Sequence, residues 1–204
     1  MKYTAMKLRK GIHSMSGPLT RQQLNELCNR GLDFGANKQI TDDSYDKNLA
    51  VKCQNGTFVG IKEAGLLTWK GIPFAKPPVG DLRFMAPVEP DDNDGVFEAY
   101  NYGKSPFDLL EPTDHSSEDC LSLNIFTGDD RAHNKPVMVW VHGGAFICDS
   151  ASGYYYRGES FAVANPDVVL VTIEYRLGLF GFADFKNVPG SQPDTPNNGL
   201  RDQI

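Results

Sequence analysis

Much that would assign a protein to a class at sight is missing from this 204-residue sequence. No run approaches the ~18 consecutive apolar residues of a membrane span. The opening MKYTAMKLRKGIHSM is basic but no apolar segment follows it, so it does not read as a secretory signal and a cytoplasmic location is expected. Cysteine is scarce, with Cys28, Cys53, Cys120 and Cys148 far apart, without a CxxC pair or a metal-ligand rhythm. Four reduced thiols are expected, with no disulfide framework, metal or cofactor. Positive charge is in deficit, 20 Lys and Arg against 26 Asp and Glu, for a net charge of −6. That balance argues against nucleic acid or an anionic membrane as a partner. There is no internal repeat and no low-complexity tract.

What remains is ordinary for a globular domain: 40% hydrophobic and 23% charged residues. A chain of this size buries about 70% of its unfolded surface, enough for a sizeable core. Residues 1–45 read as an extension before the main domain, which is expected to occupy 46–204. Within the extension, Thr20 and Gln23 have the spacing of a capping box. Leu24, Leu27 and Cys28 then share one face, predicting a short helix over about 21–30.

From Asn48 the pattern becomes strand-like. LAVKC and TFVGIK flank Gln54-Asn55-Gly56, and Asn55-Gly56 is a hairpin turn signal because both residues tolerate positive φ. Asn55-Gly-Thr57 also has the form of a glycosylation sequon, but the turn accounts for it. LLTWKGI (66–72) predicts another strand, and the prolines of 73–78 an ordered turn segment. A strand is expected near GVFEAY, and LSLNIF (121–126) alternates as a strand does. VMVWV (137–141) and VVLVTI (168–173) are nearly continuous and β-branched, as in parallel strands buried on both faces. GESFAVAN (158–165) between them suits a short crossover helix. The three tyrosines at 154–156 read as packing residues.

Chemistry is carried by the loop after the first buried run. His142-Gly143-Gly144-Ala145 follows VMVWV directly. Acyl transfer needs donors aimed at a developing oxyanion, and backbone amides freed by adjacent glycines supply them. A strand-ending glycine turn would look similar, but other blocks accompany this one. Gly71-Ile-Pro-Phe-Ala-Lys-Pro-Pro-Val-Gly-Asp-Leu-Arg-Phe84, Ser117-Glu-Asp-Cys-Leu-Ser-Leu-Asn124, Pro136 to Phe146, Val168 to Phe182 and Asn198-Gly-Leu-Arg-Asp-Gln203 fall in the order and spacing of type-B carboxylesterases and cholinesterases. The sequence resembles that family over about 48–204.

The resemblance implies the amino-terminal part of an α/β-hydrolase sheet: an antiparallel hairpin start, then parallel strands with crossover helices. It implies Gly143 and Gly144 as oxyanion-hole donors, with His142 bracing their loop. It implies an ion pair between Arg83 and Glu118. Arg176 is expected to lack its partner, because the family's aspartate is placed after Ile204. The Cys120 position often forms a disulfide in the family, but 102–106 offers no cysteine, so a free thiol is expected. The family's sheet order implies that VMVWV is an open edge, inviting self-association or a complementing carboxy-terminal half.

The family nucleophile sits in a Gly-x-Ser-x-Gly elbow, and this sequence has none. Gly158-Glu-Ser160-Phe-Ala162 begins like one but lacks the last glycine and precedes the VVLVTI strand. His13, His115, His133 and His142 do not suit the triad histidine. The expectation is therefore hydrolysis of small-molecule carboxylic esters by a parent enzyme, with none of the triad in these 204 residues. The competing reading is a catalytically inactive, esterase-like binding module or truncated remnant. A small esterase using Ser160 is a weaker third.

Overall fold

The computed structural model describes residues 19–110, 113–129, 134–189 and 196–204. The first basic segment, with His13, and the loop carrying His133 lie outside the described residues. Two sheets organise the rest. The smaller has the order β1-β6-β3-β2, built from β1 (Gln39–Ile40), β6 (Val96–Glu98), β3 (Gly56–Val59) and β2 (Ala50–Cys53). The larger has the order β4-β5-β7-β9-β8. Its strands are β4 (Ile61–Glu63), β5 (Leu66–Pro73), β7 (Ser122–Gly128), β9 (Val169–Ile173) and β8 (Val137–Val141).

The predicted hairpin forms, with a turn one residue shorter than the Gln54 to Gly56 segment, a displacement of the second strand's start. Cys53 pairs with Gly56, so Gln54 and Asn55 make the turn and Gly56 opens β3. The displacement has two local causes. Asn55 Nδ2 donates to the Pro73 carbonyl at 2.7 Å, holding Asn55 in the turn. Gly56 lies at φ +142°, and a Cβ there would sit 2.9 Å from the Phe97 ring.

The α1 helix (Arg21–Cys28) begins with the predicted box, Thr20 and Gln23 capping each other's backbone amides. Its Leu27 is buried against α2 (Glu159–Ala164), and Arg157 donates to the Cys28 carbonyl at 3.1 Å. Residues 19–45 thus supply both a helix and strand β1, which pairs with β6.

Two apolar clusters hold the layers. Leu49, Phe58, Val59, Leu67, Trp69, Ile72 and Ala99 join the two sheets. Leu27, Leu66, Tyr102, Phe126, Ala162 and Leu170 fill the space beneath α1 and α2. Each large side chain so buried contributes roughly 1.5–3 kcal/mol. A charged cluster crosses the second group. Lys70 Nζ, on β5, donates to Glu159 at 2.9 Å and to the Arg30 carbonyl at 3.0 Å. The Tyr102 hydroxyl donates to the same carboxylate at 3.1–3.2 Å. Burial first, then the Glu159 charge, raises the Tyr102 phenol well above its ordinary pKa, so it stays a donor.

β8 and β9 are parallel neighbours, with Val137 opposite Val169 and Val141 opposite Ile173, and α2 is their crossover. The two strands do not share an environment. β9 is largely buried, but Val137 and Val139 are 63% and 58% exposed and Trp140 41%. Within these 204 residues VMVWV is not covered on both faces, unlike the expectation from its composition, and it is the edge strand that the implied sheet order required. Among the described residues β8 pairs only with β9 and ends the sheet, and little packs on the faces to which its apolar side chains point. Tyr154 and Tyr155 are also exposed rather than packed, at 70% and 89%. No helix among the described residues is long and apolar enough to cross a membrane.

Candidate active site

The carboxyl ends of β8 and β9 open onto one loop, residues 142–152. Parallel sheets present their chemistry at this end, where strands stop and loops can turn back over them. The loop's backbone is unusual: Gly144 lies at φ +106°, and Ala145, Phe146 and Asp149 also have positive φ. Residues with side chains hold such angles only when their surroundings fix them. Here Gly178 N–H donates to Phe146 O at 2.7 Å, Leu109 N–H to Ile147 O at 3.1 Å, and Asp149 N–H to Asp108 at 2.9 Å. The Ile147 and Cys148 amides turn back onto Gly144 O at 3.0 and 3.2 Å.

The two glycines differ in what they allow. A Cβ on Gly144 would lie 2.0 Å from the Cys148 carbonyl oxygen, so only glycine fits. A Cβ on Gly143 would meet nothing closer than the Tyr156 hydroxyl at 3.6 Å, an ordinary contact. His142 is buried behind them. Its Nδ1 is 2.9 Å from the Gly143 carbonyl, which only accepts, so Nδ1 carries the proton. Its own carbonyl accepts from the Tyr175 hydroxyl at 3.0 Å, and the Tyr175 ring stacks on its imidazole at 4.4 Å. Burial pushes the His142 pKa below its ordinary value, favouring the neutral ring.

Arg176, expected without a partner, has one, and that expectation is corrected. It is buried and bidentate on Asp202, Nε to Oδ2 at 2.8 Å and Nη2 to Oδ1 at 2.7 Å. Its backbone amide donates to the same carboxylate at 3.0 Å, and Nη1 donates to the Met85 carbonyl at 2.7 Å. The aspartate directly follows α4 (Asn198–Arg201), which packs beside α3 (Gly178–Phe182) and so returns to the end of β9. Arg83 and Glu118 also meet, by two parallel bonds, one of them Nη2 to Oε1 at 2.6 Å. The bond and charge of Glu118 raise the guanidinium pKa. The arginine side chain is half exposed and the pair binds loop to loop.

The remaining sequence candidates do no chemistry here. Ser160 is exposed on α2, and its hydroxyl lies 3.5 Å from Cys28 Sγ rather than beside a histidine. Gly158 before it packs on Phe126, where a Cβ would come within 2.3 Å of the ring. Cys120 is free and buried, and burial raises its thiol pKa well above the ordinary value, which keeps it protonated. All four cysteines are free. His115 stacks on Phe34 at 4.0 Å. Among the described residues no cluster of His, Cys, Asp or Glu could hold a metal ion.

Sequence reasoning passed over one residue that the structure brings to the loop. Glu174, one position beyond β9, is buried and accepts from the Ala151 amide at 3.0 Å. Its signal was visible: an acidic residue closing an otherwise apolar strand.

Sheet order, crossover helix and glycine loop together define the amino-terminal part of an α/β-hydrolase. Solved structures agree. A PNB esterase superposes with a TM-score of 0.68 at 42% identity, over 76% of this chain and 32% of that one. A carboxylesterase from Geobacillus stearothermophilus does so with a TM-score of 0.68 at 39% identity, over the same shares. The model of the Carboxylesterase family matches residues 47–204, and the chain belongs to that family. It is 44% identical to the para-nitrobenzyl esterase of Bacillus subtilis over 160 residues, which is 75% of this chain and 32% of that protein. It is 40% identical to the human cocaine esterase over 167 residues, 73% of this chain and 29% of that one. The chain therefore spans about a third of the length of the relatives it matches.

Proposed function

We propose that these residues form the oxyanion-loop part of a hydrolase of small-molecule carboxylic esters. The serine nucleophile and histidine base of that enzyme lie on polypeptide outside the 204 residues, and no cofactor takes part. The observation that carries this reading is the glycine pair at the end of β8, with Gly144 in a conformation no other residue fits and Gly143 open above it. In the reaction the serine oxygen attacks the ester carbonyl and the base takes its proton. The carbonyl oxygen then carries a negative charge, which the Gly143 and Gly144 amides stabilise without reorganising. Collapse expels the alcohol and leaves an acyl-enzyme, which water hydrolyses.

Gly143→Ala in the intact protein is the direct test, because the structure accommodates its methyl group. Turnover of p-nitrophenyl esters should fall by about 10²-fold, as if one donor were lost, because the methyl group clears the protein but stands on the open side where the ester oxygen must approach the amide, with the melting temperature nearly unchanged. Turnover that ignores the methyl group would remove this loop from the oxyanion site. Ester binding without turnover in the intact protein would favour the inactive binding module. The 204-residue chain alone should be inactive, and activity in it that Ser160→Ala abolishes would restore the third reading.

A further inference from the structure

In-register neighbours on parallel strands face the same way, so His142 and Glu174, each one residue past the Val141–Ile173 pair, meet beyond the sheet. His142 Nε2 is buried and has no hydrogen-bond partner. Glu174 Oε2 faces it 3.7 Å away, with both side chains almost wholly shielded from water. An approach of about half an ångström would make a hydrogen bond. Glu174 also accepts backbone bonds from Ala151 and Ser152, at the far end of the same loop. Its neighbour Tyr175 holds the His142 carbonyl. Two consecutive residues thus grip both ends of the segment that contains Gly143 and Gly144.

We propose that Glu174 is a positioning residue for this loop, acting through a single proton shared with His142 Nε2. The proposal rests on the oxyanion reading of the loop. With the proton present, carboxyl and imidazole bind each other and both ends of the loop are tied. Without it, a carboxylate faces the lone pair of a neutral ring in a site closed to water, and the two groups repel.

The surroundings favour a neutral acid and neutral base over an ion pair. Burial pushes the Glu174 carboxyl up to about 8, against the two backbone bonds that would lower it, and burial lowers His142. The other groups facing the pair are Asp149 and Cys148 on the loop, Tyr156 beyond it, Tyr175 on the strand exit, and Cys120 with the Arg176–Asp202 pair beneath. The Arg176 charge is matched by the Asp202 carboxylate bound to it. Asp149 acts on His142 as a secondary influence that raises its pKa.

The glutamine variant separates this role from simple packing. In Glu174→Gln no carboxyl remains to titrate, so whichever of the Ala151 amide and Nε2 the new side-chain amide serves, that arrangement does not change between pH 6 and 10. Two readouts on the intact protein test the proposal. Nitrogen-15 spectra of the His142 ring between pH 6 and 10 should show Nε2 responding to a titration near pH 8 in the wild type and not in Glu174→Gln. Ester kcat should fall on the alkaline side of the wild-type pH profile, and that limb should vanish in Glu174→Gln. Glu174→Leu should lose about tenfold or more in kcat with little change in KM, as expected when oxyanion donors are displaced. An identical Nε2 response in wild type and Glu174→Gln overturns the proposal. Loss of esterase activity in Gly143→Ala with unchanged spectra for Glu174→Gln would sink the shared proton alone. A wild-type protein without turnover would sink the oxyanion reading, while the spectra would still decide whether the proton is shared.

Discussion

At the scale of a residue, Glu174 links stability to pH. Its carboxyl titrates near 4.5 in an unfolded chain and near 8 in the folded one. Below the lower value the group is protonated in both states and contributes no difference. Between the two values the folded state holds a proton that the unfolded state has released, so stability falls as pH rises, and the loss is complete above about 8. His142 works in the opposite sense. Its depressed pKa costs stability in acid, and that cost disappears as pH rises toward its ordinary value of 6.5. Glu174→Gln removes only the carboxyl's share. Its melting temperature relative to wild type should climb between pH 5 and 9 by about 5 °C or more, which scanning fluorimetry can follow. A pH-independent offset would mean that the carboxyl is ionised throughout.

At the scale of elements, two buried ion pairs place short helices that could not hold themselves. α4 has four helical residues and α2 six, too few to be stable alone. α4 is pinned to the end of β9 by Arg176 and Asp202, and α2 is pinned across β5 by Lys70, Glu159 and Tyr102. Such pairs are weak evidence of net stabilisation but costly to break singly, because one charge is left buried and unpaired. Asp202→Ala should therefore destabilise by about 3–5 kcal/mol in urea unfolding. Arg176→Met combined with Asp202→Leu should cost less than Asp202→Ala alone. Equal costs would show that the arginine finds water or another partner when the aspartate is lost. Arg83 and Glu118 are a different case: with the guanidinium half exposed, solvent screens the attraction and the pair chiefly orients loops.

At the scale of the molecule, the larger sheet ends in an apolar strand. β8 carries no charge or proline along Val137–Val141, and its outer backbone groups have no strand beside them among the described residues. Edges of this kind associate. The 204-residue chain expressed alone should run as oligomers or aggregates in size-exclusion chromatography with light scattering. Val139→Lys, at a position 58% exposed, should shift it toward monomer with little effect on the fold. A monodisperse monomer from the unaltered chain would show that β8 is not a sticky edge.

The amino-acid sequence by itself determined the elements and the loop that matters. Period and composition are local properties, so the α1 capping box, the alternation of β7, the apolar runs of β8 and β9 and the glycines at 143–144 were all legible. Family resemblance added the sheet order and the Arg83–Glu118 pair. The other contacts between residues far apart in the chain were decided by the tertiary structure alone. Nothing in the strand run LLTWKGI marks Lys70, and Glu159 belongs to a false serine elbow, but the crossover places the two 2.9 Å apart. The exposure of Val137 and Val139 depends on what packs over their face of the sheet, which their own side chains do not encode. The Asn198 to Gln203 block does not by itself mark Asp202 as the partner of Arg176, because the turn that carries it back to Arg176 depends on α3 and α4 packing together. Glu174 and His142 are 32 positions apart and become neighbours only through the parallel register of β8 and β9. Burial then changes what both groups can do, because removing water penalises charge, and burial is a property of the folded whole.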